Sequence, residues 1–256
     1  SRQTQLSTPA DTTEQICRTA FVLFDQLWNQ TPIRLLGIRT SRLTDVSEPV
    51  PETETYVSPI DFAALQVENP DIYGWLDIPD TDISYPLLQS QEDDTFYLNH
   101  DAYKEYNSAG SLFTEHRYNK NDMTDPVTVV YGHRQNDGSM FGTLQQTFSD
   151  SESFAAHKNI VIYLPDRELR YQVRAAVPYD NRHILYQYDF YDTQSYSDFL
   201  YSVYNTRALG INYAEQVMEP DDSLLVLSTC LKGNRKNRFL VLATLEQTVP
   251  ESSAVK

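Results

Sequence analysis

No apolar run in the 256-residue chain approaches the roughly 18 residues that a membrane-spanning helix requires. No charged-then-apolar leader opens it either, which leads to the expectation of a soluble piece. Cysteine is scarce. Cys17 and Cys230 are the only two, too few for a disulfide framework, and nothing places them near each other. Histidines do not cluster as metal ligands would: His100, His116, His157 and His183 stand singly, and lone histidines are usually surface or satisfied core groups. Neither a metal nor another cofactor is expected, and no internal repeat is visible. Cations are few as well, with 20 Lys and Arg against 36 Asp and Glu and a net charge of −16. Residues 1–50 hold five of each sign, so the whole imbalance lies beyond them. A surface this acidic disfavours a phosphate backbone, which argues against nucleic acid as a partner of that larger part.

What the chain does have is most concentrated in LLVLSTCLKGNRKNRFLVLATL, Leu224 to Leu245. Leu224–Leu227 and Phe239–Leu245 have the length and branching of buried strands, and the polar, glycine-containing segment between them reads as a loop. The first run delivers Cys230 to its end and the second begins after Arg238. A thiolate is a competent nucleophile, and a guanidinium that keeps its proton is a good donor to a developing oxyanion. The plain alternatives are a Cys serving as a small buried hydrophobe and an Arg solvated at a strand edge.

A second stretch, Val127 to Leu144, adds the third chemical type. Its strand Thr128–Tyr131 ends in Gly132-His133 and runs into the turn residues Asn136-Asp137-Gly138. A Cys, a His and an Arg, each at the end or start of a strand, supply the nucleophile, the general acid/base and the oxyanion donor that acyl transfer requires.

Ordered motifs then connect these residues to a family. Tyr131-Gly132-His133 with Gly138-Ser139-Met140-Phe141, Leu227-Ser228-Thr229-Cys230 and Arg238-Phe239-Leu240-Val241 resemble the class B sortases. Upstream, Asn69 to Pro79, Ile83 to Gln89, Phe96 to His100 and Gly110 to Phe113 resemble that family's segments in the same order, so the likeness spans about residues 58–246. One departure is Arg134, where relatives commonly carry Asn after the His.

The resemblance implies a transpeptidase. Cys230 attacks the carbonyl after a Thr in a sorting-signal peptide, His133 handles the proton, and Arg238 holds the carbonyl and its oxyanion. Ser228 and Thr229 are the implied substrate contacts. Arg235 and Lys236 are the alternatives to Arg238, which is preferred because it leads directly into the FLVL strand. The implied acceptor is an amine of a cell-wall precursor or a pilin lysine. The implied location is the extracellular face of a Gram-positive membrane, with the family's membrane anchor absent from this chain. The alternatives are a cysteine peptidase or hydrolase that uses water, and a DNA-binding module at the N-terminus.

Bottom-up, residues 58–248 read as mainly β. Strands fit Tyr73–Ile78, Ile83–Leu88, Ser111–Thr114, Thr128–His133, Asn159–Leu164 and Arg170–Val177, with helices at about Ile60–Gln66 and Ser195–Leu209. Together they imply a closed sortase-type β-barrel with peripheral helices. Residues 1–43 read as an amphipathic helix to Trp28 and a strand Ile33–Ile38, with Cys17 structural. This part resembles a fragment of the little-finger domain of Y-family DNA polymerases of the polymerase IV type, expected to be non-catalytic because the catalytic palm has no counterpart. Residues 44–57, rich in proline and acidic side chains, read as a linker.

Overall fold

The computed structural model describes residues 56–250. All of them belong to the second of the two units into which the chain divides, Glu54–Lys256. The helix and strand expected within residues 1–43, and Cys17 with them, lie outside the described residues.

The helix α1 (Phe62–Glu68), capped by the Asp61 carboxylate on the Ala64 N–H at 3.0 Å, leads into the hairpin β1 (Ile72–Asp77) and β2 (Ser84–Leu88). Then follow β3 (Leu112–Phe113), β4 (Val127–Tyr131), the short helices α2 (Leu144–Ser149) and α3 (Ser151–Ala156), β5 (Asn159–Tyr163) and β6 (Glu168–Tyr179). The chain continues through α4 (Ile184–Gln187), α5 (Thr193–Tyr204), β7 (Asn212–Tyr213), β8 (Leu224–Leu231) and β9 (Asn234–Val249). Strand order is β5-β1-β2-β3-β4-β8-β9-β6, and β6 pairs back with β5, so these strands close a barrel. β7 adds to β6 beside the same edge, at Ala175 and Ala176. Register shifts in the β6–β9 pairing, at Arg170/Tyr171 and at Val173/Ala175, let this long ribbon bend around the ring.

Two apolar layers explain why the central strands read as unbroken hydrophobic runs. Leu76, Leu87, Leu112, Val130, Ile162, Val173, Leu227 and Val241 come from all eight strands of the ring and fill its interior. On the outside, Tyr196, Phe199, Leu200 and Val203 of α5 cover Val226, Leu240 and Leu242. With both faces of β8 and β9 buried, every position favours an apolar side chain; each fully buried Leu or Val contributes roughly 1.5–3 kcal/mol before entropy is counted.

The mainly β, closed barrel with peripheral helices agrees with the expectation from sequence. Element ends differ in instructive ways. The helix expected over Ser195–Leu209 starts earlier, at Thr193, because Asp192 caps the Ser195 N–H at 2.8 Å. It stops at Tyr204 because nothing buries its continuation; Leu209 is 95 % exposed. β6 extends past both expected ends, held by β9 along its length. The loop expected between Leu227 and Phe239 is instead mostly strand. β8 continues to Leu231, only Lys232 and Gly233 form the turn, and β9 starts at Asn234.

Candidate active site

Side chains alternate between the faces of a strand, and the two apolar layers show which way each candidate residue turns. In β8, Leu225 and Leu227 point into the barrel and Leu224 and Val226 point out, so Cys230 points out. In β9, Phe239 and Val241 point in and Leu240 and Leu242 point out, so Arg238 shares the outer face. Beyond β4 the alternation persists. A Cβ on Gly132 would lie 2.4 Å from Leu112 Cδ2 and 2.6 Å from Phe141 Cδ2, both interior side chains. Gly132 therefore takes the inward position where no side chain fits, and His133 follows on the outer side.

Register brings the three to one end of the barrel. Cys230 is the cross-strand partner of Arg238. The parallel strands β4 and β8 pair Tyr131 with Ser228, and the Gly132 N–H donates to the Ser228 carbonyl at 3.2 Å, so two residues further along each chain stand His133 and Cys230. Just past Cys230 the β8–β9 register shifts, and Leu231 pairs with Asn234. The extra residues of β9, Arg235 to Asn237, are taken up in that shift, whereas Arg238 stays level with the thiol. Its Nη1 donates to Cys230 Sγ at 3.7 Å. Both residues are half-buried, which leaves the sulfur open to a substrate and the guanidinium only partly hydrated.

His133 Nε2 lies 2.7 Å from the carbonyl oxygen of Leu98, at the end of a 3-10 turn, Phe96–Leu98. Arg134 turns its Nη2 to Asn136 Oδ1 at 3.1 Å. Ser228 lies on the Cys230 side of β8 and Thr229 on the interior side, and both are buried. Any contact from Thr229 to a substrate over Cys230 therefore runs through its main chain. Lys236 is exposed, and its N–H donates to Asn234 Oδ1 at 3.1 Å.

Comparison with known proteins adds the family. The sortase domain model matches residues 76–246. The chain belongs to the sortase family. Sortase B of Listeria monocytogenes is 33% identical over 185 residues, 71% of this chain and 72% of that protein. Among solved structures, sortase B from Bacillus anthracis aligns with a TM-score of 0.62 at 30% identity, covering 73% of this chain and 84% of its own. A Streptococcus pyogenes class B sortase involved in pilus biogenesis aligns with a TM-score of 0.61 at 26% identity, covering 73% and 98%. These likenesses make the barrel a class B sortase domain. Residues 1–53 match a different family, the impB/mucB/samB C-terminal domain, and a Bacillus velezensis DNA polymerase IV is 38% identical over 56 residues, 22% of this chain and 14% of that protein.

Within the sortase domain, two features beside the site were not legible from the sequence. The first is the Leu98 carbonyl, a main-chain atom 35 residues from His133 that no side-chain pattern marks. The second is His183, read as a lone histidine. Its Nδ1 accepts the Tyr186 N–H at 3.1 Å and so caps α4, which leaves the proton on Nε2, 2.8 Å from Glu115 Oε2. Burial first, and then the neighbouring Glu115 carboxylate, push the Tyr131 phenol well above its ordinary range, although Arg238 pulls the other way. Tyr131 thus stays a neutral wall beside the guanidinium. A cavity of about 500 Å³ is lined by Glu92, Asp94, Glu115, Arg117 and His183, but not by Cys230 or His133. Among the described residues no helix is long and apolar enough to cross a membrane.

Proposed function

We propose that this sortase domain is a cysteine transpeptidase that cleaves a sorting-signal peptide after Thr and transfers the acyl part to an amine. The observation that carries the proposal is the Arg238 Nη1 donating to Cys230 Sγ at 3.7 Å, with His133 on the same face at the end of the adjoining strand. The Cys230 thiolate attacks the peptide carbonyl, and an S–C bond forms. Arg238 holds the carbonyl oxygen as it becomes an oxyanion. The C–N bond then breaks, His133 gives its proton to the leaving amine, and a thioacyl-enzyme remains. An incoming amine loses a proton to His133, attacks the thioester, and releases the thiolate with a new amide. Ser228, on the same face as the sulfur, and the main chain of Thr229 supply substrate contacts.

The acceptor is an amine of a cell-wall precursor or a lysine of a pilin. The Streptococcus pyogenes relative involved in pilus biogenesis supports keeping the second. Either substrate places the enzyme on the extracellular face of the membrane. Incubation with Thr-containing sorting peptides, followed by mass spectrometry, is expected to show the acyl-enzyme mass on Cys230. An added amine is expected to intercept the thioacyl-enzyme in place of water, so that the released product is an amide rather than an acid. Hydrolysis alone at saturating amine would instead identify a cysteine hydrolase.

Residues 58–248 are proposed as the catalytic domain, with residues 1–43 non-catalytic and residues 44–57 a linker. Protein beginning at Tyr56 is expected to keep cleavage and amide transfer. A folded but inactive truncation would make the first fifty residues part of the site.

A further inference from the structure

The contact between His133 and Leu98 constrains which nitrogen of the imidazole can do chemistry. A carbonyl oxygen only accepts, so at 2.7 Å from Leu98 O the Nε2 of His133 carries a proton in the neutral ring as well as in the cation. Nδ1 is then the nitrogen whose proton comes and goes. The tautomer therefore depends on how firmly that carbonyl is held.

Its support is unusually close. Gly110 sits at φ +59, in the left-handed region that side chains avoid, and a Cβ there would lie 2.6 Å from both Leu98 O and Tyr97 O and 2.9 Å from the Leu98 carbonyl carbon. The contact is main chain against main chain, so no flexible side chain can yield. The turn bearing the carbonyl is anchored from below. Tyr97 is 1 % exposed, and its hydroxyl donates to Asp71 Oδ2 at 2.7 Å and accepts from Asn69 Nδ2 at 2.9 Å. Its carbonyl accepts the Ser111 N–H at 2.9 Å, which ties the residue after Gly110 to the same turn. On the other side, His100 stacks on Phe96 with ring centroids 4.0 Å apart.

We propose that the Leu98 carbonyl, seated on Gly110, holds the Nε2 proton of His133 and so makes Nδ1 the nitrogen that exchanges protons with the substrate amines. Gly110 is a positioning residue in this scheme: it touches no substrate and acts through the carbonyl. A Cβ at 110 displaces Leu98 O, frees the ring to take the other tautomer, and aims the wrong nitrogen at the amine. The inference rests on the proposed acid/base role of His133, but the tautomer itself does not.

The test uses the full chain with ¹⁵N-labelled histidine. At a pH where the ring is neutral, the His133 nitrogens are expected to show Nε2 protonated and Nδ1 bare in the parent. Gly110→Ala and Gly110→Asn are expected to mix the tautomers. Both are expected to lower kcat on the order of a hundredfold, the scale for a reacting group misplaced by about 1 Å, with little change in KM. Asn is included because it tolerates a left-handed backbone better than other side chains while keeping the Cβ, so loss from strain alone separates from loss through the carbonyl. A parent spectrum with Nδ1 protonated overturns the proposal without any variant having to fold. So does full kcat in a folded Gly110→Asn. If the parent shows the expected tautomer but His133→Ala stays active, the acid/base reading fails instead.

Discussion

Cys230→Ala is expected to abolish acyl-enzyme formation and to lower turnover on the order of a thousandfold or more, as loss of a nucleophile does elsewhere. The fold is expected to survive, for a local reason. Cys230 is half-buried near the end of β8 and turned to the outer face, away from the interior layer, so exchanging SH for H removes little packed volume. Intact-mass spectrometry with a sorting peptide reads acylation, and thermal unfolding reads the fold. Turnover within about tenfold of the parent, a barrier change of only about 1.4 kcal/mol, would mean that the sulfur is not the nucleophile. Cys17→Ala is expected to change neither readout.

His133→Ala and Arg238→Ala are each expected to lower the rate on the order of a hundredfold or more, the usual scale for losing an acid/base or an oxyanion donor. Arg238→Lys is expected to recover only part of the loss. The register pairs position 238 directly with Cys230, and the existing contact uses one arm of a planar fork. A guanidinium presents its N–H donors to the sulfur and the substrate oxygen at fixed angles in one plane, and an ammonium does not. Single-turnover rates with a fluorogenic sorting peptide decide the order of effects. If Arg235→Ala proved more damaging than Arg238→Ala, the oxyanion donor would be misassigned.

Much of the candidate site was legible because burial on both faces turns β4, β8 and β9 into conspicuous apolar runs. A polar residue of the right chemistry at the end of such a run stands out, as Cys230, His133 and Arg238 do. The same signal blurred what lay between the runs. Lys232 to Asn237 contains no apolar residue and reads as a loop, yet most of it is strand, because a hairpin end exposed to water imposes no hydrophobic pattern on its side chains. Short elements escaped for a related reason. The dipeptide strand β7 and the four-residue α4 are too brief to show a period, and α4 is marked instead by its His183 cap.

The sequence by itself determined the residue types, their places at strand ends and the family to which the barrel belongs, since these depend on local pattern and on ordered motifs. Tertiary structure alone decided which faces and atoms meet. Whether Cys230 and Arg238 share a face depends on the parity of the strand pairing, and a register shift just beyond Cys230 leaves that parity intact. Whether Thr229 looks at the substrate or into the barrel turns on the same alternation, invisible where every neighbour is buried. The Leu98 carbonyl reaches His133 because the turn Phe96–Leu98, in the connection from β2 to β3, lies against the residues that follow β4. A main-chain oxygen is the same for every residue, so no side chain in the sequence could announce it.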